Sequence, residues 1–113
     1  MYYTYMLRCK DGSVYTGITT DPRRRFAEHT GRGKRAAGYT RSHKAEKLIA
    51  LWKSADRSLA SKLESRIKKL DKLQKEQLAQ TGSLEIFIGR LPVEEYTFTA
   101  VSEVFADSGD TEQ

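Results

Sequence analysis

Tyr5, Tyr15, Arg25, His29 and Glu64 are the side chains of this sequence whose types and spacing suit work on a phosphodiester bond. Hydrolysis of such a bond needs an attacking water, an acceptor for its proton, positive charge over the transition state and help for the leaving oxygen. A tyrosine or histidine can take the proton, directly or through a water. Arg25 can hold phosphate oxygens with two N–H groups. Glu64 can bind one divalent cation through oxygen and leave most of its coordination shell to water and phosphate. Each residue alone has an ordinary reading. The tyrosines suit any sheet, and Arg25 belongs to the basic run Arg23-Arg24-Arg25. His29 near a helix C-terminus offsets the dipole, and Glu64 has Lys68 one turn away as an ion-pair partner. The set gains meaning jointly: Arg25 and His29 share a helix face, and Glu64 borders an apolar stripe, where a carboxylate is costly unless something pairs with it.

Other phosphate-handling solutions are missing. The segment Gly31–Gly38 lacks the Gly-Lys-Ser/Thr ending of a P-loop. No glycine-rich dinucleotide fingerprint follows a strand, and no His/Cys cluster has zinc spacing. Cys9 is the single cysteine, which rules out an intramolecular disulfide and points to a reducing compartment. The net charge of +5 favours a polyanionic partner. No apolar run approaches the ~20 residues of a membrane helix, and the N-terminus lacks a signal-peptide layout, so the expectation is a cytoplasmic protein with no membrane partner.

The elements that must position these residues are legible in outline. Residues 2–9 read as a strand, Lys10-Asp11-Gly12 as a turn and residues 14–20 as the return strand. Asp21-Pro22 opens a helix that runs to about His29. Residues 31–44 form a glycine-rich basic loop. Residues 47–53 read as a third strand, and Asp56 or Ser58 caps a second helix with the stripe Leu59, Leu63, Ile67 and Leu70. Asp71 and Gln74 match a capping box for a third helix over 72–79, which Gly82 ends. The fold class is therefore α+β: a three-stranded antiparallel sheet with flanking helices. Residues 1–81 form the main domain and 82–105 a packing extension of short strands or irregular segments. Residues 106–113 form a disordered acidic tail.

The hairpin register decides whether the two tyrosines can act together. A two-residue Asp11-Gly12 loop pairs Arg8 with Tyr15 and puts Tyr5 on the opposite face, since a one-residue slip inverts a strand's faces. A three-residue loop with Gly12 left-handed pairs Leu7 with Tyr15 and Tyr5 with Gly17, and only then do both tyrosines point the same way. The three-residue loop is expected, with Gly17 leaving open space on that face for a phosphate.

Tyr3-Thr4-Tyr5 precedes Tyr15-Thr16-Gly17, ten residues from Tyr5 to Tyr15. Arg25 lies eight residues beyond Gly17, His29 four further, and Glu64 sits in the pattern Ala60…Glu64-x-x-Ile67-Lys68. Over roughly residues 2–80 this resembles the GIY-YIG nucleases, most closely the single-domain bacterial members, which have runs similar to residues 7–25 and 38–41. The chain departs from the pattern in carrying Tyr3-Thr4 where the motif has Gly-Ile, and in containing no asparagine, which some members use after the glutamate.

The resemblance implies an endonuclease that hydrolyses DNA phosphodiesters with Mg²⁺ or Mn²⁺, in repair, recombination or DNA processing. Its implied catalytic set is Tyr5, Tyr15, Arg25, His29 and Glu64, with Glu64 the metal ligand. Gly17, Arg24, Lys34, Arg35, Tyr39, Thr40 and Arg41 are the candidate DNA contacts, Tyr39 being available to stack on a base. Backbone hydrolysis does not itself distinguish RNA from DNA. A monomer or weak homodimer is expected. The competing expectations are a nucleic-acid-binding module that has kept the fold without the chemistry, and an interaction protein that docks a partner through residues 83–105.

Overall fold

The computed structural model describes residues 1–30 and 44–105. Strand β1 (Tyr2–Cys9) and strand β2 (Val14–Thr19) form the hairpin. Helix α1 (Pro22–His29) follows, then β3 (Ala45–Ser54), α2 (Arg57–Lys68) and α3 (Lys72–Thr81). Among the described residues, three short 3₁₀ turns and a two-residue strand β4 (Thr97–Phe98) follow α3. The sheet is antiparallel with order β2-β1-β3-β4. The fourth strand corrects the expected three. It exists only because Phe98 and Thr97 pair with Trp52 and Lys53 of β3.

The caps form as local chemistry demands. The Asp21, Asp56 and Asp71 side chains accept from the backbone N–H groups of Arg24, Leu59 and Gln74 at 3.2, 2.9 and 2.8 Å. Gln74 returns the Asp71 bond, closing the capping box. The hairpin loop has three residues: the Cys9 N–H donates to the Ser13 carbonyl, and Gly12 is left-handed at φ +87°. Leu7 therefore faces Tyr15 and Tyr5 faces Gly17, as the shared-face argument requires.

The sheet is a middle layer. On one face Tyr5, Leu7, Leu48 and Leu51 pack with Phe26 of α1 and with Val101 and Val104. On the other, Met6, Ala50 and Trp52 pack with Leu63 and Ile67 of α2 and Leu78 of α3. Leu84, Phe87, Leu91 and Tyr96 join this second cluster. Two buried hydroxyls fix α2 against the rest: Thr4 donates to the Ala60 carbonyl at 3.0 Å and Tyr96 to the Leu59 carbonyl at 2.6 Å.

Gly82 ends α3 at φ +72°, and its carbonyl accepts the Trp52 indole N–H at 3.0 Å. A Cβ there would lie 2.2–2.5 Å from the Phe98 ring. Gly82→Ala is expected to cost about 2–4 kcal/mol, from the left-handed backbone and the overpacking together. In a Phe98→Ala background the cost should fall to the backbone part alone, about 1–2 kcal/mol. Urea titration of the four proteins checks this, and an equal cost in both backgrounds would refute the steric part.

Candidate active site

The hairpin and α1 bring three rings together. Tyr5, from the centre of β1, is 2 % exposed, and its hydroxyl lies 2.7 Å from Nε2 of His29, itself 1 % exposed. The Tyr15 ring sits 5.0 Å from the His29 ring and 6.2 Å from the Tyr5 ring, centre to centre. Tyr15 is only partly buried, so it joins the buried pair to the solvent side. Gly17 does not leave the open space expected of it. Tyr5 crosses it so closely that a Cβ on Gly17 would meet the Tyr5 hydroxyl at 2.6 Å.

Arg25 is one turn before His29 and donates to Glu28 at 2.6 Å. Arg24 and Arg25 line an open cleft with Glu28, Ile18 and Thr19. Glu64 comes from the other side of the sheet. Its helix packs through Leu63 and Ile67 on the face opposite α1, and its C-terminal turn reaches the edge strand β2. There Lys68 lies 6.0 Å from the centre of the Tyr15 ring, and its Nζ pairs with Glu64 at 3.1 Å. Lys34, Arg35, Tyr39, Thr40 and Arg41 lie outside the described residues.

Burial pushes the Tyr5 hydroxyl well above its ordinary pKa, with the charges of Tyr15 and Glu64 adding to the effect and Arg25 opposing it. Tyr5 is therefore a phenol at neutral pH. The arginine neighbour does not bring it down to a free base. Burial, and then the Arg25 charge, lower His29 to about 4. His29 is consequently neutral at pH 7, and in the tautomer with the proton on the other ring nitrogen Nε2 accepts the Tyr5 O–H.

The model of the GIY-YIG catalytic domain matches residues 1–77 of this chain. The chain belongs to the GIY-YIG family, a nuclease family. The UPF0213 protein of Fusobacterium nucleatum is 47 % identical to it over 77 residues, 68 % of this chain and 75 % of the relative. That of Halalkalibacterium halodurans is 44 % identical over 78 residues, 68 % of this chain and 80 % of the relative. A solution NMR structure of a UPF0213 protein from Bacillus halodurans is similar at 38 % identity and a TM-score of 0.47. The match covers 80 % of this chain and 95 % of that one. Among the described residues no helix is long and apolar enough to cross a membrane.

GIY-YIG nucleases are typically dependent on a divalent metal. The residues here fit a lightly held cation. Glu64 offers one carboxylate, 24 % exposed, which already faces a positive charge, the Lys68 ammonium. Among the described residues no cluster of three or more His, Cys, Asp or Glu side chains could cage a metal. One carboxylate, with water and substrate phosphate for the rest, is how Mg²⁺ is commonly held at phosphoryl sites.

Sequence reasoning missed Glu28 as the partner of Arg25. The i,i+3 spacing on α1 was the signal that could have found it.

The depressed pKa of His29 carries a stability consequence. The unfolded chain takes up a proton below about pH 6.5 that the folded chain excludes until about pH 4. Stability is thus insensitive to this group above pH 6.5 and falls as the pH drops from 6.5 to 4, by about 3 kcal/mol in all. Urea titrations across that range check it: His29→Gln should lose the corresponding part of the slope. Equal slopes for the two proteins would mean that His29 is not held neutral.

Proposed function

We propose that this chain is a divalent-metal-dependent endonuclease that hydrolyses DNA phosphodiester bonds, with Mg²⁺ or Mn²⁺ as the metal. The observation that carries this reading is the 2.7 Å contact between the buried Tyr5 hydroxyl and neutral His29, with Tyr15 against the His29 ring and Arg25 on the same helix. A buried phenol hydrogen-bonded to a neutral imidazole is a proton relay. As the phenolic oxygen takes a proton from water, its own passes to Nε2 of His29, so no free phenolate has to form. Tyr15 lines the route from solvent. Arg25, held by Glu28, lines the cleft, where its guanidinium can stabilise charge on the phosphate. Glu64 is the candidate ligand for the metal, which would supply positive charge for the phosphate and the leaving oxygen.

In this reading residues 1–81 form the nuclease domain of a cytoplasmic monomer or weak homodimer, and 82–105 its packing extension. Gly17 serves by admitting Tyr5. Arg24 contacts the DNA together with Lys34, Arg35, Thr40 and Arg41, and Tyr39 stacks on a base. DNA repair, recombination or processing is the setting that suits such an activity.

A second reading is a nucleic-acid-binding module without chemistry. On its side stands the pairing of both functional charges within the protein, Glu64 with Lys68 and Arg25 with Glu28. An assay on supercoiled, linear, branched and single-stranded DNA, and on RNA, with Mg²⁺, Mn²⁺ or EDTA, separates the two. Metal-dependent cleavage of DNA supports the nuclease, and salt-dependent binding with no cleavage under any metal supports the module. Cleavage confined to RNA would transfer the same mechanism to the other polymer.

A further inference from the structure

Away from the tyrosine cluster, the solvent side of α2 forms one wall of an open groove of about 540 Å³, enough for several phosphate groups with their waters. Lys62, Arg66 and Lys69 line it together with Ser61 and Ser65. Arg90, from the segment after α3, lines it from the opposite side, its guanidinium held by a 2.7 Å bond to the Ile86 carbonyl. Two separate parts of the chain thus bring four positive charges to one concavity that, among the described residues, no Asp or Glu lines. Among the described residues no ion pair within 4 Å neutralises any of the four.

A plain solvated helix face is the ordinary explanation for charges on α2, and it fits poorly. Such faces intersperse acids at i,i+3 and i,i+4. Here Lys62–Arg66 and Arg66–Lys69 are like-charged at those spacings, which destabilises a helix by a few tenths of a kcal/mol per pair. The helix dipole offsets part of this at Arg66 and Lys69, at the C-terminal end; Lys62, two turns earlier, gains nothing from it, and a polyanion with regularly spaced charge would offset the whole set. Arg, Lys and Ser side chains are standard donors to phosphate oxygens. From Ser58 to Lys69 the helix rises about 16 Å, close to five base steps of about 3.4 Å each.

On α2 the groove side is turned roughly a third of a revolution from Glu64, since each residue advances the helix by about 100°. A strand lying in it is therefore not the strand segment at the Tyr5–His29 pair. We infer that this groove is a second binding surface for the phosphate backbone of the nucleic-acid substrate, holding an arm or flank away from the cleaved bond. The inference rests on the proposed nucleic-acid substrate and deepens it: the protein grips the substrate backbone beyond the nucleotides at the cleaved bond.

The test is binding of the full chain to a 30-base-pair duplex in EDTA, followed by fluorescence anisotropy over a range of salt. Lys62→Gln/Arg66→Gln/Lys69→Gln is compared with the control Lys47→Gln/Lys72→Gln/Lys75→Gln, which removes equal charge elsewhere. The groove variant is expected to flatten the log affinity against log salt slope by about 2–3 and to weaken binding near 0.1 M salt roughly tenfold or more. The control should flatten the slope by less than about 1. Matching far-UV spectra and melting curves establish that all three proteins fold. The charge-conserving variant Lys62→Arg/Lys69→Arg should keep the wild-type slope. Identical slopes for groove variant and control overturn the groove while leaving the nuclease reading intact. A wild-type protein that does not bind the duplex overturns the groove, and together with no cleavage in the nuclease assay it overturns both readings.

Discussion

Glu64→Ala is expected to reduce metal-dependent cleavage by roughly 10²–10³-fold or more while changing the stability of the fold by less than about 1 kcal/mol. The two magnitudes separate because the carboxylate does little for folding. Its partner Lys68 is half exposed and lies at i,i+4, where such pairs contribute about 0.3–0.5 kcal/mol. Alanine is also the better helix former. Placement of α2 depends instead on Leu63, Ile67 and the carbonyl bonds from Thr4 and Tyr96, none of which the substitution touches. Lys68→Ala is the matched control, because it breaks the same ion pair and keeps the carboxylate. It should retain cleavage within about tenfold, since an exposed pair holds its acid in place only weakly. Mn²⁺ titrations give a readout independent of turnover: Mn²⁺ affinity should fall in Glu64→Ala and hold in Lys68→Ala. Full activity in Glu64→Ala would remove Glu64 from the site. An equal loss in both variants would make Lys68 part of the chemistry.

The parts of this arrangement legible in the sequence are those fixed by local rules. Loop length and strand parity placed Tyr5 and Tyr15 on one face. Asp21, Asp56, Asp71 and Gly82 marked helix ends through backbone chemistry that operates within four residues. What stayed hidden depends on residues distant in the chain. Strand β4 is two residues long and is defined by its pairing with Trp52 and Lys53, so no periodicity could reveal it. The raised pKa of Tyr5 comes from burial under α1, and the ring's path over Gly17 from packing that strand parity does not encode. One clue was available and unused. The run from Thr4 to Leu7 is buried at every position, and continuous rather than alternating apolar character signals a strand covered on both faces. That pattern signals cover on both faces of the sheet, which α1 and α2 supply.

Gly17→Ala is expected to disable the site as thoroughly as removal of the Tyr5 hydroxyl, although the added group is a single methyl. Gly17 has no unusual backbone angle, so the effect is steric. The new Cβ would stand 2.6 Å from Oη and 2.8 Å from Cζ of Tyr5, and 3.1 Å from the Tyr15 ring. Normal van der Waals separation is about 3.5 Å or more, so Tyr5 must shift by close to 1 Å. At 2 % exposure it has no solvent side to move into. A shift of that size breaks the 2.7 Å bond to His29 and also strains the packing. The expected cost is about 1–3 kcal/mol of stability and a 10²–10⁴-fold loss of cleavage, the range for removal of a proton-transfer group. Tyr5→Phe should lose a comparable factor in rate at about 1 kcal/mol of stability, the hydroxyl's hydrogen bond to His29. The double variant distinguishes displacement of the relay from general damage. With the hydroxyl absent the closest clash disappears, so Gly17→Ala should cost less stability in the Tyr5→Phe background and remove almost no further activity. Additive losses in rate would show that Gly17 serves the reaction by some route other than Tyr5. An unimpaired Gly17→Ala would show that the Tyr5–His29 contact is not what moves the proton.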